Sequence, residues 1–399
     1  MDFLIDVLCF LVAPVLCWLV IRGAAPMAVL PILAGLGVAV AADRLGFDKS
    51  LLGPSDLGEQ LGRLGVLMLA FSAGLETRTM ASGPKLGPQL FVSAIGALAL
   101  PFAAGLLLAL SGLIDAVIAR PATVHPFVSA AAIGLCLAVS ALPVLVGIVR
   151  ELPAADRPLG NLALRIAALD DAILWIGLAA LLFVHAGTNG FVADWRDVAA
   201  VALFVALIGL RKPLEHLPDN PVVTVAAGAA YLFAGSWATT MLGLHEFLGA
   251  YFAGALAPAA LAARLKPELI GKIALFGLSP LFFAHRGLAI DGALVTAATV
   301  GVALLAVLLA ASTKFVAVHV TPPEASMPPQ EKTRLALLLQ CKGLMEIVAA
   351  SILLQAGIIS ASAYAVLVTL AIVSTMLTAP LFRLASRVMR APTADGRTG

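Results

Sequence analysis

The stretch Gly160-Asn-Leu-Ala-Leu-Arg-Ile-Ala-Ala-Leu-Asp170-Asp171-Ala-Ile-Leu-Trp175-Ile-Gly-Leu-Ala-Ala-Leu-Leu-Phe-Val184 decides the fold class. It is apolar almost throughout, and about 20 apolar residues in a helix are enough to cross a bilayer. A charged side chain inside such a helix is costly, so its default interpretation is functional. The stretch therefore predicts a membrane-spanning helix in which Asp170 and Asp171 have a function.

The whole chain shares this composition. Of its 399 residues, 61% are hydrophobic and 12% are charged, and the mean hydropathy is +1.04. Soluble proteins are about 45–50% apolar and about 25% charged. These values exclude a soluble globular enzyme, a disordered chain and a nucleic-acid binder, and the 25 basic and 23 acidic residues give no strong attraction to a polyanion. The apolar runs are also too long for the strands of an outer-membrane barrel, so we predict an all-α polytopic membrane protein.

The hydropathy pattern predicts about 13 transmembrane helices, with about 12 as the alternative because the seventh segment is short. The segments are 3–21, 25–41, 62–77, 88–114, 127–149, 160–184, 198–210, 221–243, 245–263, 272–289, 292–320, 333–356 and 362–386. Residues 389–399 follow as a short polar tail, which we expect to be cytoplasmic.

Lys and Arg are unevenly distributed between alternate loops. With an odd number of spans and the N-terminus outside, the inner loops hold 16 of these residues and the outer loops hold 6. Because positively charged loops stay on the cytoplasmic side, the sequence predicts a multi-pass protein of the cell (inner) membrane. Its N-terminus would lie outside and its C-terminus in the cytoplasm.

The ionisable residues within the predicted spans form a short set. Asp170 and Asp171 are adjacent, and two carboxylates in a low-dielectric site cannot both ionise at low cost. Such a pair can exchange a proton for a monovalent cation, and Lys314 in span 11 is the expected counter-charge. A purely structural Asp170–Lys314 ion pair is the alternative, but it does not account for Asp171. Lys342 and Glu346 in span 12 lie four residues apart on one helical face, which favours a structural ion pair over ion binding.

Two predicted spans carry helix breakers near mid-depth. Pro143 interrupts span 5, and Gly343 has the corresponding position in span 12. Proline removes a helical hydrogen bond and glycine loosens the backbone. Broken helices in matching positions of two halves indicate a transporter with inverted repeats, here spans 1–6 and 8–13.

Four segments resemble the Kef/NapA-type monovalent cation:proton antiporter family, and most closely its CHX-like branch. They are Gly74-Leu-Glu76, the stretch from Ser140 to Asp171, the stretch from His245 to Pro258, and the block from Lys342-Gly-Leu-Met-Glu346-Ile to Pro380. The Asp-Asp span and the Lys-Gly-x-x-Glu block are specific in combination. The resemblance extends over residues 10–388.

The resemblance implies two inverted six-helix repeats whose broken crossing helices are spans 5 and 12. It implies a single exchanger domain at 1–388, with core helices at 88–184 and 292–386. A dimerisation panel at 3–77 and 221–289 would support a homodimer.

The resemblance also implies roles for the charged residues. Asp171 would bind the monovalent cation and the proton, and Asp170 would be its partner carboxylate, paired with Lys314. Ser140 has the position of a family threonine beside the ion path. Asp171 and Asp170 would thus be the residues that bind the monovalent cation.

The crossing helices have their own implied charges. Lys342 and Glu346 would compensate the dipoles of the two broken helices. The sequence departs from the family at Glu246 and at His285-Arg286, which leaves Na+ and K+ open as the transported ion.

We therefore expect a secondary antiporter, not an enzyme, that exchanges Na+ or K+ for protons by an elevator-type mechanism. No cofactor is expected, and the partners are small cations, protons and the lipid bilayer, without nucleic acid. Two alternatives stay open: a transport-inactive membrane scaffold or sensor, and a sodium-coupled symporter of an organic anion. Polar residues in the broken segments are few for such a symporter.

Overall fold

The fold is known from a computed structural model, which describes residues 2–20, 29–46, 55–81, 87–150, 152–188, 195–215, 218 and 220–390. Within these ranges the secondary structure is helical and contains no strand. The predicted all-α class is confirmed. Of the predicted tail, residues 391–399 lie outside the described part.

The first half of the chain forms ten α-helices within the described ranges. They are α1 (Asp2–Val7), which continues through a π-helical turn into α2 (Ala13–Val20), α3 (Leu30–Leu45), α4 (Asp56–Ala81), α5 (Pro88–Leu110), α6 (Pro126–Ala138), α7 (Leu142–Arg150), α8 (Arg157–Thr188), α9 (Trp195–Gly209) and α10 (Arg211–Leu214).

The second half of the described chain adds nine. They are α11 (Pro221–Met241), α12 (Glu246–Leu256), α13 (Ala259–Leu265), α14 (Pro267–Ile273), which leads through a π-helical turn into α15 (Ser279–Leu288), α16 (Ala297–Val320), α17 (Pro329–Leu338), α18 (Leu344–Gln355) and α19 (Ala361–Arg390).

Helix length supports a multi-pass protein. In the described ranges, seven helices are long and apolar enough to cross a membrane, or eight if α12 and α13 form one span. Each predicted span contains helical residues, but several are short or broken, so the count of 13 stays a prediction. The sequence did not predict the 109° bend between α12 and α13. It falls at Ala257 and Pro258, where proline cannot donate a helical hydrogen bond.

The helices pack in two groups. One contains α3, α4, α12 and α15, and the other contains α5, α6, α16 and α19. The α4–α12 contact is close because Gly74 and Gly254 face each other across it. A Cβ on Gly74 would lie 2.1 Å from the carbonyl oxygen of Tyr251, so only glycine fits, as is common between membrane helices. The two groups overlap the sequence ranges of the predicted panel and core, whose division stays a prediction.

Candidate cation and proton site

Two helix breaks meet inside the second group. Residues 139–141 separate α6 from α7, and residues 339–343 separate α17 from α18. The N–H of Ala141 donates to the carbonyl of Cys341 at 2.8 Å. A Cβ on Gly343 would lie 2.6 Å from the Cβ of Ala141, so the glycine permits this close crossing. Because no water is available at membrane depth, such direct bonds satisfy backbone groups that the breaks release.

Asp170 lies at this crossing and is fully buried. Its Oδ2 accepts from the Ser140 hydroxyl at 2.8 Å and lies 3.4 Å from Lys314 Nζ. Lys314 also donates to the Ser140 hydroxyl oxygen and to the Leu339 carbonyl, the latter at 3.1 Å. The Ser140 hydroxyl is 2.8 Å from the same Leu339 carbonyl. Since a hydroxyl has one proton, Ser140 can donate to Asp170 or to Leu339 but not to both.

Asp171 differs from its neighbour in its hydrogen bonding. It is also fully buried, yet among the described residues neither carboxylate oxygen has a hydrogen-bond partner. Oδ1 of Asp170 likewise has no partner in the described part of the chain. A buried carboxylate without a partner is costly when ionised, so these three oxygens can hold a proton or a cation.

Lys342 bonds to the end of a broken helix. Its Nζ donates to the carbonyls of Cys136, Leu137 and Val139 at 3.2, 2.6 and 2.8 Å. These are carbonyls that the end of α6 leaves without helical partners. Glu346 Oε2 lies 3.9 Å from the same ammonium group, in the first turn of α18. A cation at a helix C-terminus and an anion at an N-terminus both oppose the helix dipole. Compensation of the two helix dipoles by Lys342 and Glu346 stays a prediction.

A cavity lies on the side of the aspartates where α8 begins. It has a volume of about 430 Å³ and lies between α4 and α14 on one side and α7 and α8 on the other. It is lined by Glu76, Arg157 and Leu164, among others, and Leu164 precedes Asp171 by about 10 Å of helix.

An aromatic pair lies on the opposite side of the site. One turn beyond Asp171, the buried Trp175 stacks on Tyr251 of α12, with ring centroids 5.3 Å apart. These two rings separate Asp171 from the other end of α8. Both aspartates are thus fully buried, with a cavity toward the start of α8 and the aromatic pair toward its end.

Two buried polar clusters were missed by the sequence analysis. Asp6 accepts from the Ser55 hydroxyl at 2.8 Å and lies 2.6 Å from His285 Nε2. Asp6 falls inside predicted span 1, so the criterion of a charge within a span could have found it. Asp156 pairs with Arg334, and both residues fell outside the core of any predicted span, where no local signal marks them.

Two of the residues flagged as departures, Glu246 and Arg286, line a further cavity of about 350 Å³. Glu246 pairs with Arg63 on α4. Arg286 on α15 donates to the amide oxygen of Gln355 on α18, with Nη1 and Nη2 at 3.2 and 3.1 Å when the amide is oriented to accept. The second contact joins the predicted panel to the predicted core.

Within the described ranges no group of three or more His, Cys, Asp or Glu side chains gathers around a metal position. A family model described as sodium/hydrogen exchanger, transmembrane, matches residues 7–384. The chain belongs to the sodium/hydrogen exchanger family. The predicted resemblance to monovalent cation:proton antiporters is confirmed, and the chain is a multi-pass integral membrane protein.

Several relatives of this exchanger-family chain are named as antiporters. Cation/H(+) antiporter 19 of Arabidopsis thaliana is 28% identical over 363 residues, which cover 84% of this chain and 45% of that protein. K(+)/H(+) antiporter 1 of Saccharomyces cerevisiae is 27% identical, with coverages of 81% and 39%. The chain thus spans less than half the length of these relatives. Na(+)/H(+) antiporter NhaS4 of Synechocystis sp. is 27% identical over 339 residues, which cover 80% of this chain and 80% of that protein.

A solved structure supports the fold. The sodium proton antiporter MjNhaP1 from Methanocaldococcus jannaschii aligns with a TM-score of 0.57 and covers 98% of this chain and 100% of its own. At 15% sequence identity, the match shows a shared architecture and nothing about the ion.

Proposed function

We propose that the chain is a secondary antiporter that exchanges Na+ or K+ for protons. The observation that carries this proposal is the pair of adjacent buried aspartates at the crossing of two broken helices. Among the described residues, Asp170 is held there by hydrogen bonds, while neither carboxylate oxygen of Asp171 has a hydrogen-bond partner. The family match and the names of the relatives support the same activity.

Asp171 is the group that carries cation and proton in alternation. A dehydrated monovalent cation needs oxygen ligands, and the two oxygens of Asp171 and Oδ1 of Asp170 are available in the described structure. Ser140 and Lys314 fix the other oxygen of Asp170. When a proton occupies Asp171 its charge is cancelled, and the cation leaves. Cation and proton thus compete for the same oxygens, which is the requirement for antiport.

The activity is tested by proton flux in proteoliposomes, with gradients of Na+, K+ and Li+ applied separately. Dissipation of the pH gradient by Na+ or K+ is the expected result and identifies the ion. A chain that reconstitutes in folded form and moves protons with none of these cations would be a scaffold or sensor, and the proposal would be rejected.

Alternating access is proposed to follow an elevator movement of the core against the panel. Two observations support it. The cavity lies between α4 and α14 of the predicted panel and α7 and α8 of the predicted core. Trp175 of α8 packs on Tyr251 of α12 across the same boundary. For the site to open on the other side, α8 must slide past α12. The predicted homodimer would hold the panel still, and the 16 to 6 distribution of basic residues supports an N-out, C-in orientation in the inner membrane.

A cross-link across this boundary should stop exchange. Arg286→Cys/Gln355→Cys, in a background without the four native cysteines, places a thiol on each side of the boundary. Bridging the thiols with a bifunctional reagent of the length of the native contact should abolish exchange, and reduction should restore it. Proton flux before bridging, after bridging and after reduction is the measurement.

The matched control lies at the same end of the molecule. Arg63→Cys/Glu246→Cys replaces another polar pair, but both positions belong to the predicted panel, so its cross-link should leave exchange unchanged. If the first cross-link forms completely and exchange continues, the core does not move against the panel.

Lys314 is proposed to release a proton when the cation binds, so that it contributes to the protons moved in each turnover. Its ammonium group lies 3.4 Å from Asp170, and loss of its proton on cation binding would make each turnover move net charge. An imposed membrane potential should therefore change the exchange rate of the native protein. In Lys314→Gln this response should disappear while cation-dependent exchange continues. A potential-sensitive dye measures the imposed membrane potential, and proton flux measures the exchange rate. If the exchange rate of the native protein does not change with the potential, Lys314 has only a structural role.

A further inference from the structure

The break between α17 and α18 releases the consecutive backbone carbonyls of residues 339–342 from helical pairing. The first and the third of them accept hydrogen bonds at the crossing described above. The second and the fourth, at Gln340 and Lys342, accept from side chains of α19. Ser374 donates to the Gln340 carbonyl at 2.5 Å, and Thr375 donates to the Lys342 carbonyl. Two neighbouring hydroxyls of one helix thus satisfy half of the carbonyls of this break.

These two hydroxyls are used differently from others of the same helix. Helical Ser and Thr commonly bond back to the carbonyl one turn earlier. Thr369 donates in this way to the Ala365 carbonyl at 2.8 Å, and Thr378 donates to the Ser374 carbonyl at 2.8 Å. Ser374 and Thr375 are buried and bond to the break instead. We propose that Ser374 and Thr375 are positioning residues, which hold the second broken helix in the arrangement that binds the cation.

The segment that they hold is part of the candidate site. The Leu339 carbonyl accepts from Lys314 at 3.1 Å and lies 2.8 Å from the Ser140 hydroxyl. The same two side chains hold Oδ2 of Asp170. Lys342, at the other end of the held segment, bonds through its ammonium group to the end of α6. A shift of the break would therefore move the groups that fix Asp170 and would weaken cation binding.

Both hydrogen bonds lie within the predicted core, because the break and α19 belong to the range 292–386. They do not cross the boundary between α8 and α12, at which the elevator movement is proposed. Their loss should therefore lower the affinity for the cation and leave the rate of the movement nearly unchanged. A residue that only stabilised the fold would instead change the melting temperature without changing the affinity. This inference rests on the proposed antiport activity.

Thr375→Val is the test, because it removes the hydroxyl and keeps the branched shape of the side chain. Exchange is measured in proteoliposomes against the concentration of the cation that the native chain transports. The half-saturating concentration should rise about tenfold, which corresponds to the loss of one buried hydrogen bond, while the maximal rate per folded molecule stays close to native. Ser374→Ala should have the same effect through the neighbouring carbonyl. Thr375→Ser keeps a hydroxyl and should retain the native half-saturating concentration.

The matched control is Thr378→Val, which makes the same change one turn later in α19. Thr378 is as buried as Thr375, but its hydroxyl bonds within α19, so the half-saturating concentration should stay native. The melting temperature of each variant verifies folding.

Three results would overturn the positioning role and leave the antiport proposal intact. They are a native half-saturating concentration in both Thr375→Val and Ser374→Ala, an equal rise in Thr378→Val, and failure of both Thr375→Val and Ser374→Ala to fold. A folded native chain without any exchange would instead reject the antiport activity, and this inference with it.

Discussion

Asp171→Asn is expected to abolish cation-dependent proton exchange while leaving the protein at least as stable as before. The substitution keeps the size and polarity of the side chain but removes the charge that a cation requires. Because no hydrogen bond to the carboxylate occurs among the described residues, none is lost on substitution. Exchange in proteoliposomes at saturating Na+ or K+, together with heat unfolding in detergent, measures both expectations.

Asp156→Asn is the matched control because Asp156 is also a buried aspartate. It pairs with Arg334, so its loss leaves a buried guanidinium without its counter-charge, at a cost of about 3–5 kcal/mol. We expect this variant to lose stability and to retain exchange per folded molecule, the reverse of Asp171→Asn. Near-normal exchange by Asp171→Asn would refute the assignment of Asp171 as the ion carrier.

Lys342→Met is expected to have the largest effect on stability. The substitution removes the donor to three carbonyls at the end of α6 and leaves Glu346 as a buried carboxylate without a counter-charge. Breaking one side of a buried charge pair costs about 3–5 kcal/mol. Lys332→Met on α17 removes a lysine that is only half-buried and should change stability by less than about 0.5 kcal/mol. Unfolding by heat or denaturant in detergent is the measurement.

A double variant separates charge from capping at the same position. Lys342→Met/Glu346→Met removes both buried charges, and apolar replacement of a whole pair is often neutral or stabilising. The double variant should recover much of the stability that the single variant loses, with a residual loss from the uncapped carbonyls of α6. If the double variant is no more stable than Lys342→Met, the lysine acts on the helix end alone and its pairing with Glu346 contributes nothing.

Signals within single segments of the sequence made three features predictable: the all-α membrane class, the span that carries the two aspartates, and the two helix breaks. The span around Asp170 and Asp171 is visible because apolar length and a charge within it can be read from one segment. Pro143 and Gly343 likewise mark, within a few residues, the breaks that the structure places at 139–141 and 339–343. Each of these features depends on the local preference of the backbone or on the cost of a charge in hydrocarbon.

Long-range partners were not predictable in the same way. Asp6 and His285 are 279 residues apart in the chain, and no periodicity connects them. The sequence suggested Lys342 and Glu346 as an ion pair from their spacing, yet the shorter contacts of Lys342 are with α6, a helix about two hundred residues earlier. The 109° bend at Ala257 and Pro258 was also missed, because a proline in a sequence marks a possible break without giving its angle.

The stacked pair of Trp175 and Tyr251 gives the chain an optical marker of its own state. Of the four tryptophans, all in the described ranges, Trp175 is the fully buried one, while Trp195 and Trp237 are exposed. Its indole lies between α8 and α12, one helical turn from Asp171. The proposed elevator movement would separate this ring from its aromatic partner and change its emission, so fluorescence would report that movement without any attached dye.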